Sequence, residues 1–148
     1  MGQQQLLLLL LVAIIVGIAT VVAINIFDTT TDEVNRDAIR QDLFLAASNA
    51  QQIYERPVSL NGISRDFNNM ENEQLISHMN IPGVQIGETI QNVNGTYSIS
   101  GKADKELRIL GVPETGGEEI EIIVCLSPSG AWLVDIESPE ATKPDGCE

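Results

Sequence analysis

No Lys, Arg, Asp or Glu occurs ahead of Asp28 in this 148-residue chain. The basic n-region and the small-x-small cleavage site of a secretory signal are both missing there, so the segment is expected to stay in the mature protein. A single histidine, His78, has no Cys, Asp or Glu beside it at ligand spacing. It reads as a packing residue, and no metal is expected. GxSxG, HExxH, P-loop and CxxC patterns are all absent, as is any His–carboxylate cluster, which argues against an enzyme and against a cofactor. Aromatic residues are few and dispersed (Phe27, Phe44, Tyr54, Phe67, Tyr97 and Trp132), too far apart in sequence for a continuous stacked path. Basic residues are also scarce. From Glu114 onward only Lys143 stands against nine acids, and such a face repels phosphate backbones, which excludes nucleic acid as a partner.

What the uncharged stretch does contain is MGQQQ followed by the apolar run LLLLLLVAIIVGIATVVAINIF, Leu6 to Phe27. As a helix that run reaches about 33 Å, enough for a hydrocarbon core of roughly 30 Å. It therefore predicts a membrane span or the core of a polymer. All the charge lies beyond it, giving a net −13 carried by one small domain. Two cysteines, Cys125 and Cys147, stand well apart, the second next to the C-terminus. A disulfide there would tether an end that otherwise frays and would place the domain outside the cytosol; two free thiols are the alternative.

The hydrophobic period assigns the rest to five segments: the apolar helix (1–27), an amphipathic half of the same helix (28–56), a loop region with a short helix (57–83), an antiparallel sheet (84–137) and a C-terminal loop (138–148). In the second, Val34, Ala38, Leu45, Ala46, Ala50, Ile53 and Tyr54 fall on one stripe, and Pro57 ends the pattern. Thr30-x-x-Glu33 has the form of a capping box, which puts a weak point near 25–31 in one long helix. The short helix is expected around 71–79. Asn94-Gly95 reads as a two-residue hairpin turn pairing Ile90 with Ile99 and Asn92 with Tyr97, which also accounts for the sequon-like Asn94-Gly95-Thr96. With 107–112, 118–126 and 131–137 this makes about five short strands. In the fourth, Ile120, Ile122, Val124 and Leu126 point inward, with Glu121 and Ile123 on the other face. The amphipathic helix is the only element large enough to cover the sheet, so the fold class is α+β, a long N-terminal helix packed on an antiparallel sheet. The acids Asp135, Glu137, Glu140 and Asp145 do not have the spacing of an EF-hand calcium loop.

This order of elements resembles the type IV pilin and pseudopilin family. The resemblance rests on VAIIVGIATVVA (12–23), similar to the apolar assembly segment of those subunits, and on AIRQDLFLAASNAQQIYERP (38–57), similar to the second half of their long helix. Cys125 and Cys147 match the pair that delimits the C-terminal loop in many pilins, and MGQQQLLLL resembles the opening of pilin-like proteins of Bacteroidota-related bacteria. The chain departs from the family in three ways. Family members carry a basic leader cut after Gly, whereas only Met1 precedes Gly2, the possible processing position, and cleavage there would make Gln3 the new terminus. The family's Glu, fifth in the mature chain, is Leu7 counted from Gln3, or Gln5 counted from Met1. The helix-breaking Pro of the apolar segment is absent, leaving Gly17 and Asn25 as weak points.

The resemblance implies a structural subunit that polymerises into a cell-surface filament, held in the inner membrane before assembly and dependent on pilus or secretion assembly machinery. Gln3, Gln4, Gln5, Leu6, Ile15, Gly17 and Phe27 are the expected assembly residues, and the partner is a second copy of the chain. The alternatives are a pseudopilin or minor pilin of a secretion machine, and a single-pass anchored extracytoplasmic binding domain that never polymerises.

Overall fold

A computed structural model describes residues 2–137 and 142–147. Its contacts divide the chain into two units, one up to Val34 and one from Asn35 onward. Helix α1 (Gly2–Glu55) contributes its first part to the first unit and its second part to the other.

In the first unit every residue from Gly2 on is helical, through Gly17 and Asn25 as well. The threonine cluster does not cap a new helix. Thr30 and Thr31 donate their hydroxyls to the carbonyls of Ile26 and Phe27, both at 2.8 Å, and Thr29 reaches back to Asn25 and Ile26. A hydroxyl that bonds one turn back stays inside the helix, so Thr30-x-x-Glu33 forms no capping box.

The second unit is built on a sheet of six strands, one more than expected, all antiparallel and in chain order: β1 (Val84–Ile86), β2 (Thr89–Gln91), β3 (Gly95–Ala103), β4 (Glu106–Pro113), β5 (Ile120–Leu126) and β6 (Trp132–Glu137). The additional strand is β1, a short edge strand with too few residues to show a period. The β2–β3 register also differs from expectation, pairing Ile90 with Tyr97 and Gln91 with Thr96. The cause is Asn92, whose side-chain oxygen accepts from the backbone N–H of Asn94 (2.8 Å) and Gly95 (3.0 Å) and so closes a longer turn. Neither Asn94 nor Gly95 has a positive φ. Gly95 is required for another reason: a Cβ there would lie 2.2 Å from the carbonyl oxygen of Val112.

The second part of α1 covers one face of this sheet. Ile39, Leu43, Ala46, Ala47, Ala50, Ile53 and Tyr54 are buried with Tyr97, Leu107, Ile109, Ile120, Ile122 and Val124. The buried stripe is thus rotated from the expected one: Val34 and Leu45 are exposed, while Ile39 and Leu43 carry the contact. Both are large and fully buried, about 1.5–3 kcal/mol each. They fit because Gly111 lies beneath them; a Cβ on Gly111 would come within 2.7 Å of Ile39 Cγ2. Helix α2 (Asn72–His78) and two 3₁₀ turns, Val58–Leu60 and Phe67–Asn69, fill the connection between α1 and the sheet. Phe67 and Trp132 each approach Tyr54 with ring centroids 5.1 Å apart. His78 is half-buried, its Nδ1 2.8 Å from the Gln74 carbonyl oxygen.

The other face of β5 is buried too. Glu121, Ile123 and Cys125 are buried, like their inward neighbours. Of the C-terminal loop, residues 138–141 and 148 lie outside the described residues. Cys147 is placed against Cys125, with Cα atoms 5.9 Å apart, and Lys143 Nζ lies 3.2 Å from Glu106 Oε2.

Candidate functional site

The first candidate is the apolar segment itself. From Leu6 to Phe27 every side chain is exposed, including Leu6, Ile15 and Phe27, while every backbone amide beyond the first turn has a helical partner. That combination, an apolar surface around a satisfied backbone, is what a lipid or a bundle of neighbouring helices requires. The one hydroxyl in the run, that of Thr20, is also satisfied, donating to the Val16 carbonyl at 2.7 Å. Gln3, Gln4 and Gln5 precede the run on the same helix and are exposed, with no hydrogen-bond partner for their side chains among the described residues. Gly2 and Gly17 have open space where a Cβ would be, so neither is explained by packing within the chain. Helix α1 is long and apolar enough to cross a membrane, a test that a signal sequence near an N-terminus also passes.

Two polar clusters of the second unit did not emerge from the sequence. In one, Asp42 on α1 accepts through a single carboxylate oxygen from the Tyr97 hydroxyl (2.6 Å) and from the side-chain amides of Asn92 (3.0 Å) and Asn94 (3.1 Å). Asp42 thereby fastens the β2–β3 turn to the helix. Burial pushes the Tyr97 hydroxyl well above the ordinary tyrosine range, and the hydrogen bond and negative charge of Asp42 add to the rise. The spacing Asn92-x-Asn94 was the available signal, obscured by the competing Asn94-Gly95 turn.

The other cluster lies on the outer face of the sheet. Arg108 donates to Glu106 at 2.7 Å and approaches Glu121 at 3.7 Å, Ser100 donates to Glu121, and Lys143 completes the group from the tail. Burial alone would raise Glu106, but hydrogen bonds and charge from Arg108 and Lys143 outweigh it and hold the carboxyl below its usual range. The cluster and the Cys125–Cys147 pair fix the tail at two points. Their chemistry is that of a clasp. Among the described residues no group of three or more His, Cys, Asp or Glu is placed to hold a metal ion.

Comparison with protein-family models, with curated proteins and with solved structures finds no match to this chain. A functional reading therefore rests on the physical character of these surfaces.

Proposed function

We propose that the chain is a pilin-like structural subunit that polymerises through the apolar segment Leu6–Phe27 into a cell-surface filament, after residence in the inner membrane. The observation that carries the reading is that one helix supplies both an uncharged, wholly exposed apolar surface and the buried stripe of a folded domain. An anchor needs only a greasy stretch joined to its domain by any linker; here one unbroken helix runs from the apolar segment to the buried stripe. In a bundle of such helices the apolar faces bury one another. Burying half of the side chains in the run at about 1.5–3 kcal/mol each exceeds the roughly 4–15 kcal/mol cost of association. Leaving the bilayer gains little by itself, because lipid tails solvate leucine as well as another leucine does. That step falls to an assembly machine. A secretion-machine pseudopilin uses the same surface in a shorter periplasmic polymer, and a single-pass anchored binding domain would never polymerise.

The test is an Ile15→Asp subunit. A carboxylate in the centre of the bundle is unpaired and costs several kcal/mol. Helical polymers should be present in material sheared from cells making the wild-type chain and absent for the variant. Normal assembly of Ile15→Asp subunits would refute a buried apolar core. Polymers confined to the periplasm would assign the chain to a secretion machine instead.

A further inference from the structure

The second unit carries a knob and a groove at different places on its surface. The knob is the turn after α1. Val58 and Leu60 are 60% and 64% exposed, although the turn that bears them is tightly braced. Leu60 and Gly62 donate their amides to the Pro57 carbonyl, at 2.9 and 3.1 Å, and Val58 donates to Ser64 Oγ at 3.1 Å. Gly62 lies so close to Arg56 that a Cβ would fall 2.0 Å from its carbonyl oxygen. Beyond the turn Ser64 and Arg65 both adopt left-handed backbone, φ 51° and 66°, a conformation that costs energy in residues with a side chain. Two apolar side chains are thus held out into solvent by a braced loop beside Arg56, while Arg65 on its other side is paired with Glu55 at 2.9 Å.

The groove lies about 21 Å away along α1, the helical rise from Asp42 to Arg56. Pro82, Val84 and Val93 line it with apolar surface, together with the half-buried Asp42 and the exposed Glu114. Val93, at the tip of the β2–β3 turn, is 91% exposed. The three groups that bond Asp42 are neutral, so none of them offsets its charge.

We infer that the Arg56–Val58–Leu60 knob of one subunit seats in the Asp42–Val93–Glu114 groove of a second copy, forming a head-to-tail contact between the folded domains in the polymer. Three features favour a second copy as the occupant. The knob is apolar beside Arg56, and the groove is apolar with two acids, Asp42 and Glu114, in its lining. The two surfaces are different patches at separate positions, so the contact is heterologous and adds subunits without closing a symmetric pair. The knob is also pre-organised, so little ordering is lost on docking. This contact rests on the filament reading and adds to it a specific domain interface.

A charge exchange in full-length subunits tests it. Arg56→Glu should lower the yield of sheared polymer roughly tenfold or more, because an acid would face acids across the contact. Glu114→Arg should do likewise, by setting a base against Arg56. The double variant Arg56→Glu/Glu114→Arg should recover most of the wild-type yield, a rescue that two merely destabilising substitutions would not produce. If either single variant polymerises normally, or the double variant is no better than the singles, the contact does not exist although the filament reading stands. If Glu114→Arg abolishes binding of another cell component but leaves polymer intact, the groove belongs to that partner and the inference falls. If the wild-type chain forms no polymer, the filament reading itself fails and the contact with it.

Discussion

Single residues decide how closely helix and sheet approach. Gly111 faces Ile39 and Leu43 across the core, and its missing Cβ is the space that lets them lie flat on the strands. Gly111→Ala forces a contact with a β-branched side chain that has little freedom to turn aside. A loss of roughly 1–3 kcal/mol is expected, read as a lower midpoint in urea unfolding of the full chain in detergent. Tyr97 acts from the same region but through its hydroxyl. Its folded-state pKa is raised above the ordinary 10.0, so the neutral phenol is favoured by folding. That contribution is fully present below pH 10 and is lost as pH rises toward the folded-state value. Stability of the wild type should therefore fall above pH 10. Tyr97→Phe should lose roughly 1–3 kcal/mol at neutral pH and show a shallower decline in alkali. The slope should not vanish, because Tyr54 is also raised, by burial first and by the nearby Glu55 charge. An unchanged alkaline slope in Tyr97→Phe would show that burial and the Asp42 bond do not hold the phenol neutral.

At the scale of elements, the long helix, the loop with its short helix and the sheet were all legible, because each has a period or a punctuating residue. The apolar run Leu6–Phe27, Pro57 and the alternation in β4 are local signals, and the helix, its end at Glu55 and the buried residues of β4 follow them. What was not legible depends on side chains acting at a distance. Asn92 overrode the turn preference of Asn94-Gly95 and shifted the β2–β3 register. Ile39 and Leu43 displaced Val34 and Leu45 from the buried stripe because Gly111 leaves room beneath them. Nothing in the helix sequence announces a glycine on a strand so far along the chain. On the outer face of β5 Glu121 is buried, and the Arg108 and Ser100 side chains that satisfy it come from other strands. The tail belongs to the same scale. A Cα separation of 5.9 Å lies within disulfide range. We expect Cys125 and Cys147 to be bonded in native material, contributing roughly 3 kcal/mol by restricting the unfolded chain. Mass spectrometry of non-reduced peptides decides this: thiols at both positions that accept an alkylating reagent exclude the bond. Reduction should loosen the tail while Lys143 and Glu106 still attract it, so acidifying the reduced protein below pH 4.5, through the lowered range of Glu106, should release it further.

For the whole molecule, the proposed filament raises the question of how subunits with no charged side chain ahead of Asp28 would keep their register. The pilins that the element order resembles place a Glu able to pair with an amine where this chain has Leu7 or Gln5. A neutral amide cannot supply that charge. Gln3, Gln4 and Gln5 instead offer three groups that both donate and accept, exposed at the start of the apolar surface. Once buried in a polymer they must find partners, since an unsatisfied amide is costly, whereas each satisfied bond adds only about 0.5–1.5 kcal/mol. Register set this way is softer than register set by an ion pair, and it is shared among several bonds. Replacing all three with Leu keeps the apolar drive to assemble and removes the polar constraint on sliding. The triple variant should still yield polymer, but with heterogeneous helical symmetry in images of single filaments. Filaments of unchanged symmetry and order from that variant would show that the glutamines do not set register, and that the contacts of the folded domains are sufficient to do so.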